Sequence, residues 1–388
     1  MIRKVWPLVA AAIALGIDAY VLAGVLPSIS DSLTTTVAAV GLGVTAFTGA
    51  YALAGPMMSG RLSRGHTARA LLIALGVFNL GSLITVVAPG IEVFLASRLI
   101  AGAGAGVLTA VATVTAAAMV TESERGRATA MVTFGLSTGT VVGVPVGMLI
   151  GDLLNWRWTM GLVVVVGALG MLALAARARA LPSLPTSIGP ALGVFRSART
   201  CVGVLIAFLL GVASLGLYTY VLPMAETQGL EGWGFALVWA WGIGGVTGSA
   251  LIGRPLDTYG PRVLLIVLPG VLLTSFVAMW VSDSPAVWLI AAALWGAAGW
   301  ASVPTVQQAL VGDRPEQAMP IIAFQMAAMY LGSAVGAAAG SSLLLTGTRA
   351  TELIVWALIP AGLAVVLAAW FSISALRPQP EPRAAVAA

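Results

Sequence analysis

Two charged side chains lie inside stretches that are otherwise apolar, Asp18 and Arg98. An ion at the centre of a bilayer costs about 2.5–3.5 kcal/mol on insertion scales, so each needs a partner or a task. A buried carboxyl can take up and release a proton, and a neighbouring cation changes when it does so, which makes proton exchange the chemistry these residue types allow. Asp18 also reads as a structural polar group satisfied by a hydroxyl such as that of Tyr20, or as a direct substrate contact. Arg98 also reads as a packing residue or one snorkelling outward. Little else reactive is available. The 388 residues include one histidine, His66, and one cysteine, Cys201, which removes zinc clusters, Ser-His arrangements and an intrachain disulfide. The helices offer no paired carboxylates for an embedded enzyme, and no Gly-rich loop ending in Gly-Lys-Ser/Thr appears for an ATP-driven pump. No metal and no cofactor is expected.

The elements that position these two residues are membrane spans. Hydrophobic residues make up 59% of the chain and charged ones 9%, a mixture that needs lipid as its solvent. At roughly 20 apolar residues per crossing, hydropathy and loop breaks predict helices near 5–29, 37–60, 70–89, 93–120, 128–150 and 158–176, then 200–224, 234–253, 263–281, 286–311, 320–346 and 352–376. This is an all-α membrane protein of twelve transmembrane helices, with the first apolar run read as an uncleaved helix rather than a signal peptide. At 1.5 Å per residue Asp18 lies about 19 Å into the first helix, near mid-membrane, and Arg98 about 8–9 Å into the fourth.

Charge sets the orientation. With both termini inside, Arg3, Lys4, Arg61, Arg64, Arg69, Arg125, Arg127, Arg177, Arg179, Arg196, Arg199, Arg254, Arg262, Arg314, Arg377 and Arg383 face the cytoplasm, leaving Arg157, Arg349 and Arg98 of the 19 basic residues elsewhere. The net charge of +5 therefore reports topology and anionic lipid, not nucleic acid.

A Pro- and Arg-rich stretch, 181–199, divides residues 1–180 from 200–376, and a Pro-rich tail, 377–388, lacks apolar periodicity and is expected to be disordered. The two halves repeat. Gly60, Arg61 and Arg69 follow the second helix as Gly253, Arg254 and Arg262 follow the eighth, all three at an offset of 193, and Gly55 matches Gly248. Val-Leu-Pro ends the first helix of each half, at Val25–Pro27 and Val221–Pro223. Parallel repeats of this kind build secondary transporters with a site between the halves at the midplane.

In the fifth helix Gly135, Gly139, Gly143, Gly147 and Gly151 recur every fourth residue, so they share one slowly drifting face open to close approach by another backbone. Pro145 removes one backbone bond among them, which makes the helix bendable. Gly332, Gly336 and Gly340 form a shorter series in the eleventh.

Together these motifs resemble the drug:proton antiporter branch of the major facilitator superfamily over essentially the whole chain. Gly253, Asp257, Gly260 and Arg262 are similar to that superfamily's cytoplasmic loop signature. The first-half copy departs from it, with Arg64 where the family has an acid and Thr67 where it has a glycine. Gly135, Gly139, Gly143, Pro145 and Gly147, followed by Trp156-Arg157-Trp158, resemble the antiporter motif, although Val144 separates Gly143 from Pro145. Arg98 with Gly102 and Gly106 resembles the fourth-helix motif whose arginine is associated with proton coupling. The resemblance implies two six-helix bundles rocking about a central cavity, with Asp18 and Arg98 beside it exchanging a proton for a small-molecule substrate. It implies a monomer in the inner (plasma) membrane. Around such a cavity Tyr20, Tyr51, Tyr218, Trp239, Trp295, Trp300, Gln325 and Tyr330 suit an amphipathic organic molecule, as in antibiotic efflux. A sugar or metabolite exporter and an uncoupled facilitator stay open on the same fold.

Overall fold

The computed structural model describes residues 2–62, 66–121, 125–182, 192–312 and 317–374. Arg64, Arg314, linker residues 183–191 and the tail 377–388 lie outside them, as does the side chain of Asp257. The described residues are helical between short connections, without a strand. The first half contains α1 (Ile2–Ser32), α2 (Val37–Leu62), α3 (Thr67–Val86), α4 (Ile91–Ala118), a fifth crossing in two pieces, α5 (Arg125–Thr138) and α6 (Val144–Leu153), and α7 (Trp156–Ala176). The second half opens with a seventh crossing, also in two pieces, α8 (Ala198–Leu210) and α9 (Val221–Thr227). It continues through α10 (Gly234–Leu251), α11 (Gly253–Val281), α12 (Pro285–Val311), α13 (Ala318–Leu345) and α14 (Leu353–Ser374). Among the described residues, twelve segments are long and apolar enough to span a membrane.

Both halves pack by one plan. α2 and α3 lie along α4, α3 along α7, and α1 along α7 and the fifth crossing; α10 and α11 lie along α12, α11 along α14, and α13 along the seventh crossing. Glycines set these approaches. A Cβ added at Gly102 would overlap the Phe47 carbonyl, and one at Gly296 the Trp241 carbonyl, both pairs at an offset of 194 (296 − 102 and 241 − 47). The repeat seen in the loops thus recurs as matched backbone contacts inside the bundles.

The fifth-crossing glycines face a matching row on α1. Gly135, Gly139, Gly143, Gly147 and Gly151 meet Val9, Ile13, Ile17, Val21 and Val25, each pair separated by 126 in sequence, so two parallel helices stay in register through five successive contacts. The crossing is not uniformly α-helical. A π-helical turn, Gly139–Gly143, sits just before Pro145 and widens the helix where the proline withholds its N–H.

The seventh crossing departs from the continuous helix expected over 200–224. A second π-helical turn spans Gly211–Gly216, and a turn at Thr219 and Tyr220 precedes α9. A π turn carries extra backbone within one helical turn. This accounts for the slip of the repeat, whose offset is 195 at Gly16 and Gly211 but 196 at Val25 and Val221. α11 is kinked at Gly260, whose φ of 75° favours glycine, and the exposed Arg262 follows it.

The halves are joined on the side opposite the termini. Ser341 Oγ of α13 donates to the Ala38 carbonyl of α2 at 2.8 Å, and Thr45 Oγ1 of α2 donates to the Ala334 carbonyl at 3.2 Å. Tyr220 fills the slot left by Gly41 and Gly340, with its hydroxyl on the Ala337 carbonyl at 2.6 Å.

Candidate functional site

Mid-way along α1, Asp18 is fully buried and accepts two bonds from Arg98 Nη1, at 2.8 Å to Oδ1 and 3.0 Å to Oδ2. Arg98 Nη2 reaches the Asp18 backbone carbonyl at 3.4 Å, while Nε is buried without a partner. The guanidinium carbon lies 4.4 Å from the centre of the Phe47 ring, a cation–π arrangement that covers the ion pair from α2. Local sequence makes room beside this pair. A Cβ at Gly43 would overlap Phe94 Cε1 and stand 3.4 Å from Arg98 Cγ, so the glycine makes room chiefly for the Phe94 ring, one turn before Arg98 on α4. Each ion cancels the other's charge, which is how a bundle tolerates ionised groups at this depth.

The expectation that both charges border a central cavity is corrected. The space between the halves is lined by Ala19, Tyr20, Ala23, Val44, Thr48, Leu215, Tyr218, Thr219, Tyr330 and Ser333, and the ion pair sits one layer behind, inside the first half. The reason is helical phase: residues two apart leave an α-helix about 200° apart, so Tyr20 faces the second half while Asp18 faces α4. The cavity is nearly closed. Its volume of about 10 Å³ admits no more than about one water.

What fills the centre is aromatic. Tyr20 crosses from the first half to lie 6.0 Å from Tyr218, 5.6 Å from Trp241 and 5.8 Å from Trp300, ring centre to ring centre. Tyr218 stacks on Trp241 at 4.0 Å, Trp295 stands edge-on to both, and Tyr51 meets Tyr330 at 4.1 Å. Trp295 Nε1 donates to Ser214 Oγ at 2.8 Å, bracing the second-half wall.

Of the eight expected cavity residues Tyr20, Tyr218 and Tyr330 line it, Tyr51, Trp295 and Trp300 pack against those rings, and Trp239 and Gln325 stand elsewhere. Trp239 packs against Phe235, itself 44% exposed, and the inward position on α10 belongs to Trp241, two residues on and so on the opposite face. Gln325 accepts a bond from Gln307 Nε2 at 3.2 Å between α12 and α13, more than a turn from Tyr330. Sequence reasoning also passed over Asn79, a buried amide of α3 pressed against Gly167 of α7 with neither polar atom partnered. Arg157 caps the end of α3 through the Val86 and Ala88 carbonyls, both at 3.2 Å, so this outer-loop arginine has a structural use.

Residues 8–320 match the family model described as Major Facilitator Superfamily. The chain belongs to that superfamily. A chloramphenicol efflux pump of Mycobacterium tuberculosis (strain H37Rv) is 31% identical to it over 67% of each chain, in line with the drug:proton antiporter branch. An inner membrane transport protein of Escherichia coli (strain K12) is 27% identical over 97% of each. Among solved structures, a D-xylose-proton symporter superposes with a TM-score of 0.73 over 95% of this chain and 96% of its own, at 14% identity, which establishes the shared fold. This major facilitator protein is thus a multi-pass membrane transporter, of a superfamily whose members carry small molecules.

Proposed function

We propose that this transporter is a proton-coupled antiporter that exports a small amphipathic organic molecule, an antibiotic-like compound above all. The observation that carries the reading is the fully buried ion pair of Asp18 and Arg98, whose acid lies on the helix that also presents Tyr20 to the cavity. Ionised, Asp18 neutralises Arg98. Once protonated, it would leave a guanidinium unpaired in an apolar core, an expensive state that α1 and α4 relieve by moving apart. Movement of α1 carries Tyr20 with it, so proton and cargo are coupled through a shared helix without sharing a cavity. The π turn and Pro145 of the fifth crossing, packed in register on α1, supply the compliance that such movement needs.

By the distribution of arginines, the termini face the cytoplasm of a bacterial inner membrane, and the Ser341–Ala38 and Thr45–Ala334 bonds close the outer side. The names of relatives that pump chloramphenicol agree with a neutral organic cargo. One proton entering across 100 mV supplies about 2.3 kcal/mol, enough for roughly a fiftyfold gradient of such a solute, so one acid suffices. The molecule works as a monomer on this reading.

The test is Asp18→Asn in inverted vesicles, with chloramphenicol as first probe. Proton-driven uptake falls by about the fiftyfold that the gradient supplies, while exchange of labelled for unlabelled probe persists. Uptake that still follows the imposed proton gradient in the variant sinks the mechanism.

A further inference from the structure

Polar groups left without partners at the centre point to the kind of cargo. Tyr218 lines the cavity and is 97% buried, yet its hydroxyl makes no hydrogen bond. Trp241, stacked on it and buried to 99%, has an unpartnered Nε1, as does Trp300. A buried donor with no acceptor is costly, and native sites that keep such groups hold them for a ligand or a water. The direction of the deficit is informative. An indole N–H can only donate. Thr48 and Thr219, on the same cavity, have already given their hydroxyl protons to the Val44 and Leu215 carbonyls. The nearest carboxylate, Asp18, is turned to α4 and matched by Arg98, so no anion stands free to receive a cation.

We propose, building on the transport reading, that the second-half ring wall formed by Tyr218, Trp241 and Trp300 is a binding site for uncharged planar molecules carrying hydrogen-bond acceptors such as nitro or carbonyl oxygens. The rings supply a stacking surface, and the free N–H and O–H groups supply the polar recognition. An aromatic box can instead hold an ammonium ion by cation–π attraction. Here an entering cation would find no carboxylate, only the neutral hydroxyl oxygens of Thr48 and Thr219, beside the unbonded indole and phenol protons and with a guanidinium one layer back, so the site disfavours it.

The test uses the full chain in lipid nanodiscs, with empty nanodiscs subtracted, and three probes in equilibrium dialysis. These are 4-nitroacetophenone, which has acceptors and no charge, and the isosteric pair tert-butylbenzene and phenyltrimethylammonium, which differ only in charge. The nitro ketone binds saturably and about tenfold more tightly than tert-butylbenzene, and the cation does not saturate. Tyr218→Phe removes one unbonded hydroxyl and nothing else, so the protein folds and the tenfold preference drops by about threefold or more; Trp241→Phe does the same through the indole. The proposal is overturned if the cation binds as tightly as the nitro ketone, if none of the probes saturates, or if the preference survives both substitutions. Proton-dependent export by a chain that prefers the cation would refute this inference alone. Acceptor-selective binding by a chain that transports nothing would refute the transport reading alone.

Discussion

In the first half Asp18 of α1 is tied to Arg98 of α4; in the second, the elements that the repeat makes equivalent are tied by Ser214 of the π turn and Trp295 of α12. Ser214 stands 196 residues after Asp18, the offset that also relates the two Val-Leu-Pro segments, and Trp295 lies three residues past Ala292, the position aligned with Arg98. Phe47, which covers the ion pair, has Trp241 as its counterpart, and each receives a glycine of the neighbouring helix on its carbonyl. One scaffold therefore carries two kinds of joint. The ionic one is built on a carboxylate and a guanidinium; the neutral one carries no charge and braces a wall of rings. On the proposed mechanism both are used, the ionic joint as the part that moves and the neutral one as the part it moves against.

The sharpest way to break this contrast is to remove the cation. Arg98→Leu leaves a carboxylate facing α4 with no partner, a loss of about 3–5 kcal/mol for a buried pair broken on one side. Thermal unfolding in detergent should show that drop. The double variant Asp18→Asn with Arg98→Leu should recover most of the stability while transport stays blind to an imposed proton gradient. A double variant no more stable than Arg98→Leu would mean that the pair matters for shape rather than charge.

Symmetry of the scaffold itself is tested by filling its matched glycines. Gly102→Val and Gly296→Val each drive a side chain into a backbone carbonyl of the neighbouring helix, so each should destabilise by about 2–3 kcal/mol. Near-equal losses support one packing plan for both halves. A large inequality would say that only one half depends on that approach.

Most of the fold was legible because hydropathy and loop charge act one segment at a time. Twelve crossings came out among the described residues, most near their expected bounds although the seventh is broken after Gly216, and Gly135 to Gly151 announced the close contact with α1 through their period alone. What one segment cannot reveal is its rotation against another. Asp18 and Tyr20 lie on one helix and Trp239 and Trp241 on another, and nothing in either run says which residue of each pair faces the centre, since a buried membrane helix is apolar all round. That is why Trp239 was expected at the cavity and Asp18 was expected to border it. The repeat held an unused signal: an offset of 194 from Phe47 leads to Trp241, and 196 from Asp18 leads to Ser214. The π turn in the seventh crossing was hidden in the difference between 195 and 196.

The smallest expected effect isolates the neutral joint. Trp295 and Ser214 are both buried, and the indole N–H spends its one proton on the serine oxygen. Ser214→Ala takes away the acceptor and leaves the N–H dry, which should destabilise by about 1 kcal/mol. Adding Trp295→Phe removes the stranded donor, so the double variant should lose little more, apart from the smaller ring. Neither change touches a charge, so proton dependence, read as the ratio of gradient-driven uptake to counterflow in the same vesicles, should stay at the wild-type value. This is where the comparison is most exposed. If Ser214→Ala shifted that ratio as Asp18→Asn does, coupling would pass through both halves, and the second-half wall would be a moving part after all.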